Sequence, residues 1–290
     1  MKVAVFGASG TIGEPLLAEL AREHDVVAVS RNERPDSDVS WKVADATDSD
    51  SVARVLEDVE VAYYLVHSLG SADFEGKDLE AAETTAREAE RAGVRQLVYL
   101  GGLGDDSPDL SPHLRSRRET GKRLASTSVP VTTLRAAMVV GRGSAAFETI
   151  VALVNRLPAM VTPRWVSTRT QPIALPDAIA YLSGVCGLEA AFGGEYDVGG
   201  PDVMTYREMI ERIARLRGKH PIIVEVPVLT PRLSSLWLHL VTPVNAGVAR
   251  PLIEGLRNET VAHDDRIRQL LPIELTPFDR AARAALDQST

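Results

Sequence analysis

Short apolar runs alternate with amphipathic stretches through the first half of the chain. Residues 2–7, KVAVFG, form an apolar run too short for a helix and closed by glycine. Ile12, Leu16, Leu17 and Leu20 then recur at helical spacing. DVVAVS (25–30) and VSWKVAD (39–45) predict the second and third strands, and DSDSVARVLEDV (48–59) opens with capping residues and predicts a short helix. VEVAYYLVH (59–67) is a near-continuous apolar run and the fourth strand. A long charged helix follows over 74–92 and stops at Gly93. QLVYLGG (96–102) predicts the fifth strand, SPHLRSRRETGKRLAST (111–127) a helix with Pro112 at its start, and 130–141 the sixth strand. Strands that are apolar throughout are covered on both faces, and regular strand–helix alternation implies parallel pairing. With right-handed crossovers the sheet is doubly wound.

After about residue 142 the pattern loosens. Prolines stand at 158, 163, 172 and 176, helices are predicted near 176–187 and 205–217 with GGEYDVGGPD between them, and IIVEVPV (222–228) reads as a short strand. The expected fold class is α/β. Residues 1–150 are expected to form the doubly wound domain, and 151–290 a smaller mixed part that folds over it and is not an independent domain.

Composition narrows the function. The net charge of −8 comes from 40 acids against 32 bases. A nucleic-acid partner would want a basic stripe, so none is expected. The basic run RSRRETGKR (115–123) reads as a solvated helix face. The single cysteine, Cys186, excludes an internal disulfide and suits a reducing compartment. The chain opens directly on a strand, which predicts a cytoplasmic protein. The most apolar region, 233–253, is interrupted by His239, Pro243, Asn245 and Arg250. A spanning helix needs about 20 mainly apolar residues, so this stretch is expected to cover substrate or touch a membrane surface rather than cross it.

The chemistry starts at AVFGASGTIGEPL (4–16), where strand one hands over to helix one. Gly7, Gly10 and Gly13 leave the backbone bare along Ser9, Thr11 and Ile12, at a helix end that carries about half a unit of positive charge. A dinucleotide diphosphate is the expected ligand. Strand two ends in Ser30-Arg31-Asn32, where an acid would favour a free ribose diol. Arg31 instead suits a 2′-phosphate, so NADP(H) is expected ahead of NAD(H). Asp45 and Ala46, after strand three, are candidates for the adenine, with a loop-capping role as the alternative for Asp45. His67 and Ser68 follow strand four at the carboxyl edge of the sheet, and Gly101 and Gly102 occupy that edge at the end of strand five.

GASGTIG, Arg31, LVYLGGLG (97–104), HLRSRRETGKRL (113–124) and VPVTTLRAAMVVG (129–141) together resemble the short-chain dehydrogenase/reductase superfamily, in its atypical, NmrA-like NAD(P)-binding branch. The resemblance runs along the whole chain and implies a Rossmann-type fold. It also implies a serine after strand five and a Tyr-x-x-x-Lys on the next helix. Those places fall on Gly101-Gly102-Leu103 and on His113 and Arg117, so the usual set is absent. Histidine can still deliver a proton near neutrality, its ordinary pKa being about 6.5. Arg117 keeps a cation near the nicotinamide ribose and is a candidate cofactor contact. The alternative is a His113 that only caps its helix.

Met138, Arg142, Phe147 and Trp165 are expected above the nicotinamide, a wall suited to a flat or greasy small molecule. No paired carboxylates and no metal-ligand cluster stand out, so no metal is expected. The favoured reading is an NADP(H)-dependent oxidoreductase acting on a carbonyl or quinone. Its rivals are a non-catalytic NADP(H)-binding redox sensor or assembly factor, and a nucleotide-sugar epimerase. The epimerase would be expected to keep the tyrosine and lysine.

Overall fold

A computed structural model describes residues 1–34, 39–67, 74–104, 110–226 and 255–287. Strand and helix alternate in the first half as β1 (Lys2–Phe6), α1 (Gly13–Leu20), β2 (Asp25–Ser30), β3 (Ser40–Val43), α2 (Ser49–Leu56), β4 (Val61–Tyr64), α3 (Phe74–Ala92), β5 (Gln96–Gly102), α4 (Pro112–Leu124) and β6 (Val131–Ala136). The second half adds β7 (Val139–Val140), α5 (Ala145–Arg156), β8 (Ala159–Pro163), β9 (Arg169–Thr170), β10 (Ile173–Ala174) and α6 (Leu175–Gly184). It continues with β11 (Glu195–Val198), β12 (Met204–Thr205), α7 (Tyr206–Leu216), β13 (Ile222–Val226), α8 (Arg266–Leu270) and α9 (Phe278–Asp287).

The main sheet has seven strands in the order β11-β6-β5-β4-β1-β2-β3, every pair parallel. It is a Rossmann-type, doubly wound sheet. Successive residues of β1 serve opposite faces: Val3 and Val5 join one core with α1 and α6, whereas Ala4 and Phe6 join another with α2, α3 and α4. That two-sided burial is why these strands read as unbroken apolar runs. A third core gathers α5, α7 and α9 around Met160 and Met209.

Two features of the second half depart from the pattern read along the chain. The sixth strand divides: β6 stays in the main sheet, while β7 pairs with β10 outside it. Close packing holds the chain there, since a Cβ on Gly141 would sit 2.6 Å from Leu175 Cβ. GGEYDVGGPD, read as a connection, contributes β11, the seventh strand, beside β6. Its Asp197 is buried and takes two hydrogen bonds from its register partner Arg135, at 2.9 and 2.6 Å. A charged residue facing inward hides a buried strand from any hydrophobicity pattern.

Among the described residues, no helix is long and apolar enough to cross a membrane. The 233–253 segment lies outside the described residues.

Candidate dinucleotide and substrate site

The glycine loop is shaped by close backbone contacts. Gly7 has φ +80, and a Cβ there would lie 2.8 Å from the Leu65 carbonyl oxygen. A Cβ on Gly13 would lie 2.5 Å from both the Gly7 and Ala8 carbonyl oxygens. These two glycines answer to the protein's own packing. Gly10 does not, because its Cβ would meet only the Gly7 oxygen, at 3.4 Å. Gly10 and Ser9 are exposed, and no side chain caps the start of α1, whose N-cap is Ile12. An uncapped helix end behind a bare, exposed loop fits a diphosphate. Thr11 is turned elsewhere: its hydroxyl donates to the Gly143 carbonyl at 2.8 Å and ties the loop to the chain entering α5.

On the adenine side, Arg31 is exposed at the end of β2. The Asp45 carboxylate accepts the Thr47 N–H at 2.9 Å and the Thr47 hydroxyl at 2.8 Å. Those bonds, with the Arg31 charge adding, hold its pKa below the usual value. Asp45 therefore caps its own loop, and the neighbouring Ala46 is buried. Ser68 lies outside the described residues.

At the carboxyl edge of β4 and β5 two histidines meet. His67 Nδ1 is 2.7 Å from Asp78 Oδ2, and His67 Nε2 is 3.3 Å from His113 Nδ1. The two rings lie 5.1 Å apart, centre to centre. Asp78, on α3, is 2 % exposed. Burial pushes the His67 pKa down and the Asp78 hydrogen bond pushes it up, with a net lowering. His113 is driven to about 3 by burial, then by His67 and Arg117. His113 stands on the first turn of α4, whose N-cap Ser111 accepts the Leu114 N–H. The cap is thus Ser111, and the His113 ring is left for the cleft.

Arg117, one turn further on, donates to the Leu100 carbonyl and lies over the Tyr99 ring at 4.9 Å. Gly102 lets α4 come this close. A Cβ on Gly102 would be 3.0 Å from Leu114 Cδ2 and 3.7 Å from Arg117 Cβ.

A cavity of about 630 Å³ joins these parts. Gly7, Gly10 to Gly13, His67, Gly101, Gly102, His113 and Arg117 line one side. The other side is apolar, with Met138, Ile150, Leu153, Met160, Trp165 and Tyr206. Met138 and Trp165, the sequence's substrate candidates, line this cavity. Arg142 is exposed and off the wall, and Phe147 is 2 % exposed within the third core. The face of α5 that looks into the cavity carries Ala145, Thr149 and Ile150 instead. Arg31 and Asp45 are not among its lining residues. Among the described residues, no group of three or more His, Cys, Asp or Glu is placed to hold a metal.

Sequence reasoning missed Asp78. The signal was present: Asp78 shares the inner face of α3 with Ala81, Ala82, Thr85 and Ala89, all buried. An acid on that stripe needs a partner, and His67 is the partner. The cavity residues of α5 and α7 carried no comparable signal, because apolar residues at helical spacing read equally as core.

Residues 7–150 match the family model described as NAD(P)H-binding. The chain is 27% identical over 231 residues to the (4-alkanoyl-5-oxo-2,5-dihydrofuran-3-yl)methyl phosphate reductase of Streptomyces griseus, covering 75% of this chain and 74% of that protein. It is 24% identical over 239 residues to the NADH dehydrogenase [ubiquinone] 1 alpha subcomplex subunit 9 of Arabidopsis thaliana, covering 77% of this chain. That match spans 60% of the plant protein's length. Among solved structures, the Citrobacter triphenylmethane reductase complexed with NADP(H) superposes with a TM-score of 0.78 at 18% identity, covering 98% of this chain and all of that one. At that identity the likeness speaks to the fold.

Proposed function

We propose that this chain, whose residues 7–150 match the NAD(P)H-binding family, is a member of the atypical, NmrA-like branch of the short-chain dehydrogenase/reductase superfamily and an NADPH-dependent reductase of apolar carbonyl or quinone compounds. One observation carries the reading: a single cavity has the glycine loop and His113 on one side and an apolar wall on the other. Bound NADPH supplies the hydride. The bare loop and the start of α1 hold the diphosphate, and Arg31 grips the 2′-phosphate. Arg117, fixed by the Leu100 carbonyl and the Tyr99 ring, keeps a positive charge beside His113. His113 gives the proton to the substrate oxygen. Met138, Trp165, Ile150 and Tyr206 hold the body of the substrate and keep water from it.

The family's reductases, the Streptomyces relative and the NADP(H)-bound structural neighbour support this reading. A second reading is favoured by the glycines at the serine site and by the low pKa of His113. It is a protein that binds NADP(H) without turnover and serves a partner, as the plant relative's place among NADH dehydrogenase subunits suggests.

Nucleotide titration followed by nicotinamide absorbance with phenanthrenequinone and a panel of aldehydes tests both. A charge-assisted bidentate contact is worth about 1.5–3 kcal/mol, so Arg31→Ala should raise the NADPH Kd about 10- to 100-fold and leave NADH almost unmoved. Equal losses for the two nucleotides would remove the NADP(H) preference. His113→Phe should cut turnover about 10²- to 10⁴-fold while NADPH binding persists. Tight NADPH binding with no turnover across the panel would overturn the reductase reading in favour of the second.

A further inference from the structure

We propose that Asp78, His67 and His113 form a proton relay, in which His67, held against the Asp78 carboxylate, stores the proton that His113 delivers into the cavity. The proposal rests on reading His113 as the proton donor and adds two positioning residues behind it.

The hydrogen-bond chain dictates the protonation states. A carboxylate only accepts, so the 2.7 Å contact to Asp78 Oδ2 places a hydrogen on His67 Nδ1. His67 Nε2 then faces His113 Nδ1 at 3.3 Å with one hydrogen between them. In the loaded state that hydrogen belongs to His67, which is an imidazolium, and His113 is neutral with its hydrogen on Nε2. In the discharged state it belongs to His113 Nδ1, both rings are neutral, and His113 Nε2 is bare.

Passing from one state to the other balances simply. The His113 Nε2–H bond breaks as the substrate O–H bond forms, and the His67 Nε2–H bond breaks as the His113 Nδ1–H bond forms. One proton leaves the pair, and the two electrons of the reduction arrive with the hydride. His113 is neutral before and after and changes only its tautomer.

This answers a difficulty of the site. Burial, His67 and Arg117 all oppose an imidazolium at His113, whose pKa is about 3. A donor that had to be charged itself would be empty at neutral pH. Burial lowers His67 as well, but the Asp78 carboxylate in contact works against that lowering, so the pair takes up its proton at His67, on the acid side of the ordinary imidazole value. Among the described residues, the groups that act on the pair are Asp78 from α3 and Arg117 from α4, with the phenols of Tyr64 on β4 and Tyr99 on β5 next to these two. Burial raises both phenols, which leaves Asp78 as the anion that offsets the His67 charge.

NMR of histidine-labelled, nucleotide-free protein, titrated from about pH 8 to about pH 5, reads the relay without turnover. The expected result is one proton taken up by the pair at His67, with His113 switching from Nδ1–H to Nε2–H at the same midpoint. Asp78→Asn, which keeps the shape and removes the charge, should lower that midpoint by a pH unit or more. In the full enzyme with NADPH and phenanthrenequinone, the pH above which kcat/KM falls should move down with it. A His113 that keeps one tautomer through the His67 titration would overturn the relay, and the wild-type protein alone suffices to see it. An unmoved midpoint in a folded Asp78→Asn protein would overturn it too. A tautomer switch in a protein that reduces no carbonyl would leave the relay standing and remove the reductase reading.

Discussion

Burial first, then His67 at 3.3 Å and Arg117 one turn along α4, resist a positive charge on the His113 ring. That resistance has a consequence for stability. The unfolded chain protonates this histidine near its ordinary pKa, about 6.5, and the folded chain only near about 3. Above that window neither state binds the proton. Within it, the unfolded state binds more, so stability falls as pH falls, by about 1.4 kcal/mol per pH unit for one whole proton. Urea unfolding between about pH 6.5 and about pH 5 should therefore show a shallower pH slope in His113→Gln, by up to that amount. An unchanged slope would mean that His113 charges as readily folded as unfolded. The same residue marks how far the site is legible from sequence. Gly7 and Gly13 stand at places that spacing identifies, and His113 and Arg117 at places that the family resemblance implies. Phe147 does not, because an aromatic on an amphipathic helix reads the same whether it faces a cavity or the core.

At the scale of elements, the join between the two halves is β11 against β6. Asp197 is 1 % exposed at its side chain, accepts two bonds from Arg135, and takes the His263 N–H at 3.0 Å on its other oxygen. One carboxylate thus ties a strand of the first half, a strand of the second, and the chain leading to α8. Arg135 is about a third exposed and keeps Glu195 Oε1 at 3.1 Å, so removing Asp197 costs the hydrogen bonds of a buried carboxylate rather than leaving a bare charge, about 1–3 kcal/mol. Asp197→Ala should lower the urea-derived stability by about that amount. A loss below about 1 kcal/mol would mean that Arg135 finds enough water to behave as a surface ion pair. The polar anchor also explains what the hydrophobic pattern concealed. β1, β2, β4 and β5 announce themselves because they are buried on both faces and almost wholly apolar. EYDV does not, because one of its three buried residues is a carboxylate. The capping box of α7, where Thr205 accepts the Glu208 N–H and the Glu208 carboxylate accepts the Thr205 N–H, is the opposite case, local and readable.

At the scale of the molecule, the cavity draws its lining from Gly7 at one end of the chain to Thr260 near the other. A ligand that binds there bridges the main sheet and the third core, and it stabilises only the state in which both are assembled. At a hundredfold excess over its Kd, such a ligand adds about 2.7 kcal/mol. Unfolding entropy runs at about 2.1 cal/mol/K per residue, so across 290 residues the melting temperature should rise by about 4 °C. NADPH at that excess should give this shift in a thermal melt. Gly13→Ala should lose it, since the added Cβ would lie 2.5 Å from two carbonyl oxygens and the loop must move to admit it. Gly10→Ala separates the two uses of glycine, because its Cβ fits the protein at 3.4 Å and obstructs only what approaches from outside. It should melt with the wild type when nucleotide is absent and fall behind it when NADPH is added. A Gly10→Ala protein with the full shift would mean that the diphosphate does not rest on this loop.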